Sequence, residues 1–255
     1  MQENIYNAFK NELGYTCVTN QYIELSVRKL QSEYAHKIET ELQELAKTVN
    51  LTISKLTDDY ETRICKGYIV SINSALDKFL SAFKDLPGSP ANLQIASRKN
   101  DESLLEWTKR ISNITLDDQS KNDYNLCNYY HLVRNTIVHN GTESGAIRSA
   151  FHEANRGKDT QLNAPNRFDN FTFDDQVLFS RAAQRFAENL FKNSHYDFLT
   201  ILSANKDEIL KLIEPFQEDT ARQIAARKLE RYMGRSYPVF TGINWRDEVN
   251  RLLEH

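Results

Sequence analysis

The sequence predicts an all-α protein: a helical bundle of four to five long helices with additional helices towards the C-terminus. Only eight glycines and five prolines occur in 255 residues, so the chain has few turns and can form long helices. Apolar residues recur at spacings of three and four along most of the chain, which is the period of an amphipathic helix. Hydrophobic residues make up 40% and aromatic residues 11%, enough for a sizeable buried core.

Two elements are predicted in the first fifty residues. A short amphipathic segment at 5–13 is expected to end near Gly14, because glycine favours helix ends. A long helix is expected from Gln21 to about Asn50. Its apolar stripe suits a bundle helix, the commoner use of such a pattern, with a coiled-coil partner as the alternative. That stripe comprises Ile23, Val27, Leu30, Tyr34, Ile38, Leu42, Leu45 and Val49.

A second long helix is expected to begin after Ser54 or Thr57, since either residue can cap it. It should stop before the LPGSP turn at 86–90. Residues 87–100 are then expected to form a loop, and Asp101 to begin a short helix. The inward stripe of the second long helix comprises Tyr60, Ile64, Tyr68, Ile72, Leu76, Phe79 and Phe83.

Further helices are expected from about Asp118, where the helix with the candidate site begins, and over Ser144–Asn155. The polar segment 156–170 predicts no regular structure. Two interpretations of it remain open: a loop that lies near the site, or a merely solvated loop.

The C-terminal third is expected to continue as helix over 174–193, capped by Thr172 after a short extended piece at 171–173. Two or three more helices should follow from Tyr196 to the end, with breaks near Pro215 and at 234–242. We therefore expect a bundle at 1–198 and a helical extension packed on it at 199–255.

Composition limits the classes of function. The formal net charge of −3 is no general signature of nucleic-acid binding, so any RNA contact must come from a local basic surface. The three cysteines, Cys17, Cys65 and Cys127, lack metal-ligand spacing and favour buried thiols in a reducing compartment. No apolar run approaches the roughly 18 residues of a membrane span, and no signal peptide is predicted. We expect a cytoplasmic protein without a metal, a cofactor or a membrane partner.

The stretch most informative about function is NYYHLVRNTIVHNG at 128–141. Its apolar period predicts the last turns of an amphipathic helix, and Asn140-Gly141 favours a left-handed cap. Arg134 borders a polar stripe and is five residues before His139, roughly 140° around the helix. The two side chains meet only if the helix end loosens, if the arginine reaches round, or if a second copy completes the site. The polar stripe comprises Tyr124, Asn128, His131, Asn135 and His139.

This stretch resembles the signature of the HEPN superfamily, whose known members are helical bundles and often metal-independent ribonucleases. The family pattern is an arginine, a polar residue, a few further residues and a histidine near the end of a core helix. Arg134, Asn135 and His139 match it, with four residues between the arginine and the histidine. The resemblance implies a HEPN-like helical bundle, an RNA substrate, and these three residues as the catalytic ones.

The three residue types fit cleavage of RNA by attack of its 2′-hydroxyl on the adjacent phosphate. Histidine suits proton transfer near neutral pH. The Arg134 guanidinium is a permanently charged fork for phosphate oxygens, and Asn135 can orient the histidine or the phosphate. In the structural alternative, Arg134 and His139 only stabilise the end of a helix through its dipole.

Other residues are candidates for supporting roles. His131 is a second proton carrier or, alternatively, a structural histidine. Asp77 is a candidate acidic partner, because bundles of the resembling family can place an acid opposite the motif. Two basic sets are candidates for RNA contacts, with solvated surface as the alternative: Arg156, Lys158 and Arg167, and then Arg227, Lys228 and Arg231.

HEPN toxins that pair with a small nucleotidyltransferase antitoxin usually have a tyrosine two places after the histidine, and Gly141 stands there. Neutralisation by modification of that tyrosine is therefore not expected. We expect a homodimeric endoribonuclease of a bacterial toxin or antiphage defence system, with an antitoxin or defence-system protein as a candidate partner. The alternatives are a catalytically inactive HEPN bundle that binds RNA, a nucleotide or a protein, and a plain helical scaffold.

Overall fold

The computed structural model describes residues 4–34, 39–51, 60–93, 96–156, 161–216, 218, 221–238, 240 and 242–253. Within these ranges the chain forms eleven α-helices, one short 3-10 helix and no β-strand, so the predicted all-α class is confirmed. None of these helices combines the length and apolarity needed to cross a membrane. The helices are α1 (Ile5–Tyr34), α2 (Glu39–Thr48), α3 (Tyr60–Asp85), α4 (Leu104–Ser112), α5 (Asp118–Val138), α6 (Gly145–Asn155), α7 (Phe173–Asn193), α8 (Phe198–Ala204), α9 (Lys206–Ile213), α10 (Arg222–Ser236) and α11 (Trp245–Leu253), with the 3-10 turn at Glu214–Phe216.

The chain divides into two compact units, each assembled from separated segments. The first unit comprises Met1–Lys10, Leu76–Leu116 and Phe186–His255, and the second comprises Asn11–Ala75 and Asp117–Arg185. Helices α1, α3 and α7 contribute residues to both units. The boundary predicted between 198 and 199 follows sequence order and stays a prediction.

The second unit has an aromatic core between α3, α5 and α7. Tyr68 and Ile72 of the predicted α3 stripe are buried, as is Tyr130 of α5. The Tyr130 ring stacks on Phe179 of α7 with the ring centroids 4.7 Å apart. Burial of such side chains at helical spacing fixes which faces of α3 and α5 turn inward.

Helix α1 differs from the prediction because it continues through Gly14. Leu13 before the glycine and Asn20 after it are both buried, and Asn20 Nδ2 donates to Ser71 Oγ at 3.1 Å. Packing on both sides of Gly14 therefore outweighs the roughly 1 kcal/mol that a glycine costs inside a helix. The predicted caps Ser54 and Thr57 lie outside the described residues, as do residues 35–38 of the predicted Gln21–Asn50 helix.

The inward stripe predicted for the Gln21–Asn50 helix is wrong at Ile23, Leu30 and Val49, which are exposed. Large apolar side chains also cover an outward face of α1 at spacings of three and four. We call this face the outer stripe; its members, with exposed fractions, are Tyr15 at 75%, Val18 at 49%, Tyr22 at 69% and Leu25 at 65%.

The polar segment before α7 packs on α5. The Tyr129 hydroxyl donates to the Asn166 carbonyl oxygen at 2.5 Å. The buried Asp175 carboxylate accepts from the Asn166 N–H and the Tyr130 hydroxyl, each at 2.8 Å, and from the Thr172 N–H at 2.9 Å. Burial raises the pKa of the Asp175 carboxyl, and these donors act in the opposite direction. The described part of this segment is thus held against the helix that carries the candidate site.

The first unit contains the C-terminal helices, and four α-helices follow Tyr196 in the described residues instead of the two or three predicted. Buried apolar residues between Ile201 and Val249 form one cluster, against which Leu86 and Trp245 pack. Gly88 has a φ of +71°, and a Cβ at this position would lie 2.6 Å from the Asp197 carbonyl oxygen. The LPGSP turn therefore requires glycine both for its backbone conformation and for its close approach to α8.

Candidate functional site

Helix α5 begins at Asp118, as predicted, and its end is closed by a Schellman motif. The Gly141 N–H donates to the Thr136 carbonyl oxygen at 2.8 Å, and the Asn140 N–H donates to the Ile137 carbonyl oxygen at 3.2 Å. Asn140 takes the left-handed position, with a φ of +51°. His139 is the C-cap residue, and its own N–H still donates to the Asn135 carbonyl oxygen at 3.1 Å. The helix end therefore does not loosen before His139.

A chain of hydrogen bonds connects the motif arginine to the protein interior. Arg134 Nη1 donates to Asn135 Oδ1 at 2.9 Å. Asn135 Nδ2 lies 3.1 Å from His131 Nε2, and His131 Nδ1 lies 3.3 Å from Asn73 Oδ1 on α3. We call these four residues the polar chain. It joins Arg134 and two residues of the polar stripe of α5 to Asn73, which the sequence analysis did not single out.

Side-chain exposure rises from the buried end of the polar chain towards the end of α5. Asn73 is fully buried and His131 is 8% exposed, whereas Arg134 and Asn135 are half-buried and His139 is exposed. Within the described residues the His139 imidazole makes no hydrogen bond or ion pair. The structure thus joins Arg134, Asn135 and His131 by hydrogen bonds. His139 follows them in sequence and lies at the surface.

Asn73 is the functional candidate that sequence reasoning missed. It occupies an inward position of α3, between the buried residues Ile69, Ile72 and Leu76. An amide at such a position needs hydrogen-bond partners because an unsatisfied buried polar group is costly. A polar residue within an apolar helical period was the signal. Asp77, the predicted acidic partner, follows one turn later on α3 and is half-buried, but it belongs to the first unit.

Two of the three basic residues predicted near the site are exposed in the second unit. The Arg156 Nη1 atom pairs with Glu153 Oε2 at 2.9 Å. The Arg167 guanidinium carbon lies 6.0 Å from the Phe151 ring centroid, and that ring packs on Tyr129 of α5 at 5.6 Å. Arg167 is therefore tied through an aromatic pair to the helix of the motif. Lys158 lies outside the described residues.

The other basic set lies on α10 in the first unit. Arg227, Lys228 and Arg231 are all exposed, and Lys228 Nζ is 4.2 Å from the centroid of the Phe216 ring. That contact satisfies part of the Lys228 charge within the chain. The solvated-surface interpretation and the RNA-binding interpretation of α10 both stay open predictions.

A cavity of about 310 Å³ in the second unit is lined by none of the motif residues. It is lined by parts of α1 and α3 and by 171–173, including Glu24, Arg28, Glu61 and Cys65. Burial raises the pKa of the Cys65 thiol to about 12, so this thiol is inert at neutral pH. In the described parts of the chain, no group of three or more His, Cys, Asp or Glu side chains is arranged to hold a metal ion.

Comparison with known proteins yields no relative. No model of a known protein family matches the chain, and neither the curated proteins nor the solved structures contain a match.

Proposed function

We propose that this protein is a metal-independent endoribonuclease of the HEPN type, acting in a bacterial toxin or antiphage defence system. One observation carries the proposal: at the end of α5 a guanidinium is held from the core by the polar chain, while an imidazole stands exposed five residues later. A fixed cation for phosphate and an accessible proton carrier are the two groups that this reaction needs.

The proposed reaction uses the 2′-hydroxyl of the substrate as the nucleophile. His139 takes the proton of the 2′-hydroxyl, and the 2′-oxygen attacks the adjacent phosphorus. Arg134 donates to the non-bridging oxygens, whose negative charge grows in the transition state. The bond from phosphorus to the 5′-oxygen then breaks, and that oxygen receives a proton from the His139 imidazolium. The products are a 2′,3′-cyclic phosphate and a 5′-hydroxyl.

We further propose that two copies of the chain complete the site. Arg134 and His139 lie roughly 140° apart around one helix, and the closed helix end leaves His139 outside the polar chain. A two-fold axis beside α5 would let one copy supply the guanidinium and the other the imidazole. An antitoxin or another protein of the same defence system is the candidate partner beyond RNA.

A second candidate function is an inactive bundle that binds RNA, a nucleotide or a protein. The observation that favours it is the separation just described, since among the described residues of one chain the His139 side chain makes no hydrogen bond to the polar chain. In that case Arg134 would contribute to binding, and His139 would have no role in chemistry.

The deciding experiment is RNA cleavage by the wild type beside Arg134→Ala, His139→Ala and the control His152→Ala, which changes an exposed histidine of α6. We expect each motif variant to lose at least about 100-fold in rate and the control to keep wild-type activity. Thermal melts should show all variants folded, with losses on the order of 1 kcal/mol at most.

Three further conditions sharpen that experiment. Cleavage should persist in EDTA and stop when the scissile nucleotide carries a 2′-deoxy sugar. Mixing Arg134→Ala with His139→Ala should restore part of the activity if each site takes one residue from each copy. Loss in EDTA or cutting of DNA would refute the proposed chemistry, and binding of RNA without cleavage would favour the second candidate.

A further inference from the structure

We propose that Asn73 and His131 are positioning residues: they hold Asn135, and through it the Arg134 guanidinium, in one orientation. Their effect on cleavage rests on the proposed function, whereas the hydrogen-bond order stands independently of it. Asn73 is fully buried on α3 and His131 is nearly so on α5. The anchor of the polar chain is therefore part of the core of the second unit.

The direction of every hydrogen bond in the polar chain follows from the arginine. A guanidinium has five donors and no acceptor, so Asn135 must turn Oδ1 towards Arg134 Nη1, at 2.9 Å. Asn135 Nδ2 then faces His131 Nε2 at 3.1 Å, and this ring nitrogen has to accept. His131 must carry its proton on Nδ1, which donates to Asn73 Oδ1 at 3.3 Å.

This order removes His131 from proton transfer. A proton on His131 Nε2 would point at the N–H donors of Asn135. Reversing the Asn135 amide would instead turn those donors towards the guanidinium. Both arrangements oppose two donors between half-buried Asn135 and one of its neighbours, and each loses a hydrogen bond of the polar chain. His131 is thus a neutral connector, and the exposed imidazole of His139 is the proton carrier of the site.

The connector matters because an arginine side chain has many rotamers. An acceptor fixed by the core limits the directions in which the guanidinium fork can point. The fork stabilises phosphate charge well only when its N–H groups face the oxygens. If the anchor is lost, the charge remains but spends less time in the productive orientation, so kcat should fall more than KM rises.

The first test needs no substrate. Long-range ¹H–¹⁵N NMR of the full-length protein at pH 7 distinguishes the two histidine tautomers, and the signal lost in His131→Gln identifies His131. We expect a neutral ring with its proton on Nδ1. A proton on Nε2, or a doubly protonated ring, would overturn the assigned order whatever the protein does to RNA.

The second test compares Asn73→Ala with Asn73→Asp and with the control Ser71→Ala. Ser71 lies on the same helix and bonds Asn20 outside the polar chain. We expect kcat to fall about 10- to 100-fold in Asn73→Ala, with a smaller loss in Asn73→Asp, which keeps an acceptor for the ring N–H. Ser71→Ala should match the wild type.

The outcomes separate the two proposals. If the wild type cleaves RNA and folded Asn73→Ala cleaves equally well, positioning fails and the ribonuclease stands. Equal losses in folded Asn73→Ala and Asn73→Asp would also refute positioning by the acceptor. If the wild type does not cleave, the proposed function fails, and the tautomer measurement still decides the order of the polar chain.

Discussion

An amide at position 135 joins its two neighbours with a different histidine tautomer than a carboxylate would require. Asn135 accepts from a cation on one side and donates to a ring nitrogen on the other. An aspartate would present only acceptors, so His131 would have to donate to it from Nε2. The residue after the arginine is therefore where the protonation of the neighbouring histidine is set.

At Gly88 even a substitution by alanine should lower the free energy of unfolding strongly. In Gly88→Ala the new Cβ would meet the Asp197 carbonyl oxygen at 2.6 Å, and the φ of +71° disfavours any side chain. We expect a loss of at least about 2 kcal/mol in the free energy of unfolding, measured by urea denaturation.

Gly67 supplies the matched control for that measurement. It lies inside α3 and no heavy atom lies within 4 Å of a Cβ built there, so Gly67→Ala should stabilise by about 0.5–1 kcal/mol. If Gly67→Ala destabilises as much as Gly88→Ala, the close approach and the positive φ at Gly88 do not account for the loss.

The candidate site could be predicted from sequence only along one helix. The spacing of Arg134, Asn135 and His139 placed them at the end of α5 because helical period and cap residues are local signals. Asn73 is more than fifty residues away, and no local pattern pairs it with His131. Its polar nature at an inward position indicated a partner without saying which one.

At the scale of single elements, boundaries followed from sequence wherever a capping residue and the packing agreed. Ser144, the first residue of the predicted Ser144–Asn155 helix, caps α6 by accepting from the Ile147 N–H, and Asp117 caps α5 by accepting from the Ser120 N–H. Gly14 misled the prediction because its helix-ending tendency is weak beside the burial of Leu13 and Asn20. Local propensity decides a boundary only when tertiary contacts do not oppose it.

The ion pair between Glu102 and Arg110 at α4 should make the free energy of unfolding depend on pH. Arg110 donates to both carboxylate oxygens of Glu102, at 2.7 and 2.8 Å, and this contact lowers the pKa of Glu102 to about 2. A carboxyl with a depressed folded pKa stabilises above its unfolded pKa and loses that contribution as the pH falls through the folded value.

We therefore expect Glu102→Gln to lower the melting temperature at pH 6, with the difference disappearing as the pH falls from about 4.5 to about 2. The exposed Glu230→Gln of α10 is the control and should show little difference. A gap that persists unchanged at pH 2 would mean that the contribution of Glu102 is not electrostatic.

Within the second unit, α5 and α7 are joined by a charged pair that is buried on one side. Arg185 donates to both oxygens of Asp123, at 2.9 and 2.6 Å, and the Asp123 side chain is only 2% exposed. Arg185→Leu would leave a buried carboxylate without its cation. We expect a loss on the order of 2 kcal/mol in chemical denaturation, reduced from the fully buried case because Arg185 is partly in water.

Two further variants test that interpretation. Gln184→Leu changes the exposed neighbouring residue and should leave stability nearly unchanged. The double variant Asp123→Asn with Arg185→Leu should recover part of the loss, because a neutral amide costs less to bury than a charge. If the double variant is as unstable as the sum of the single ones, the pair does not couple the two helices.

For the whole molecule, each compact unit collects segments that are far apart in sequence. The boundary predicted near 198 follows sequence order and stays a prediction. Three helices contribute to both units, and a helix carries no sequence mark at the point where its contacts change. Composition and period predict the class of such a protein, while assembly depends on contacts between distant segments.

The outer stripe of α1 is an exposed apolar face that should affect the solubility of the protein. Two tyrosines, a valine and a leucine stand exposed on one face, and salts that strengthen apolar burial act most on such a face. Tyr22→Lys or Leu25→Lys should raise the ammonium sulfate concentration at which the protein precipitates, whereas Gln21→Lys, beside the stripe, should change it little. Salting-out would then be governed by one side of one helix more than by the net charge of −3.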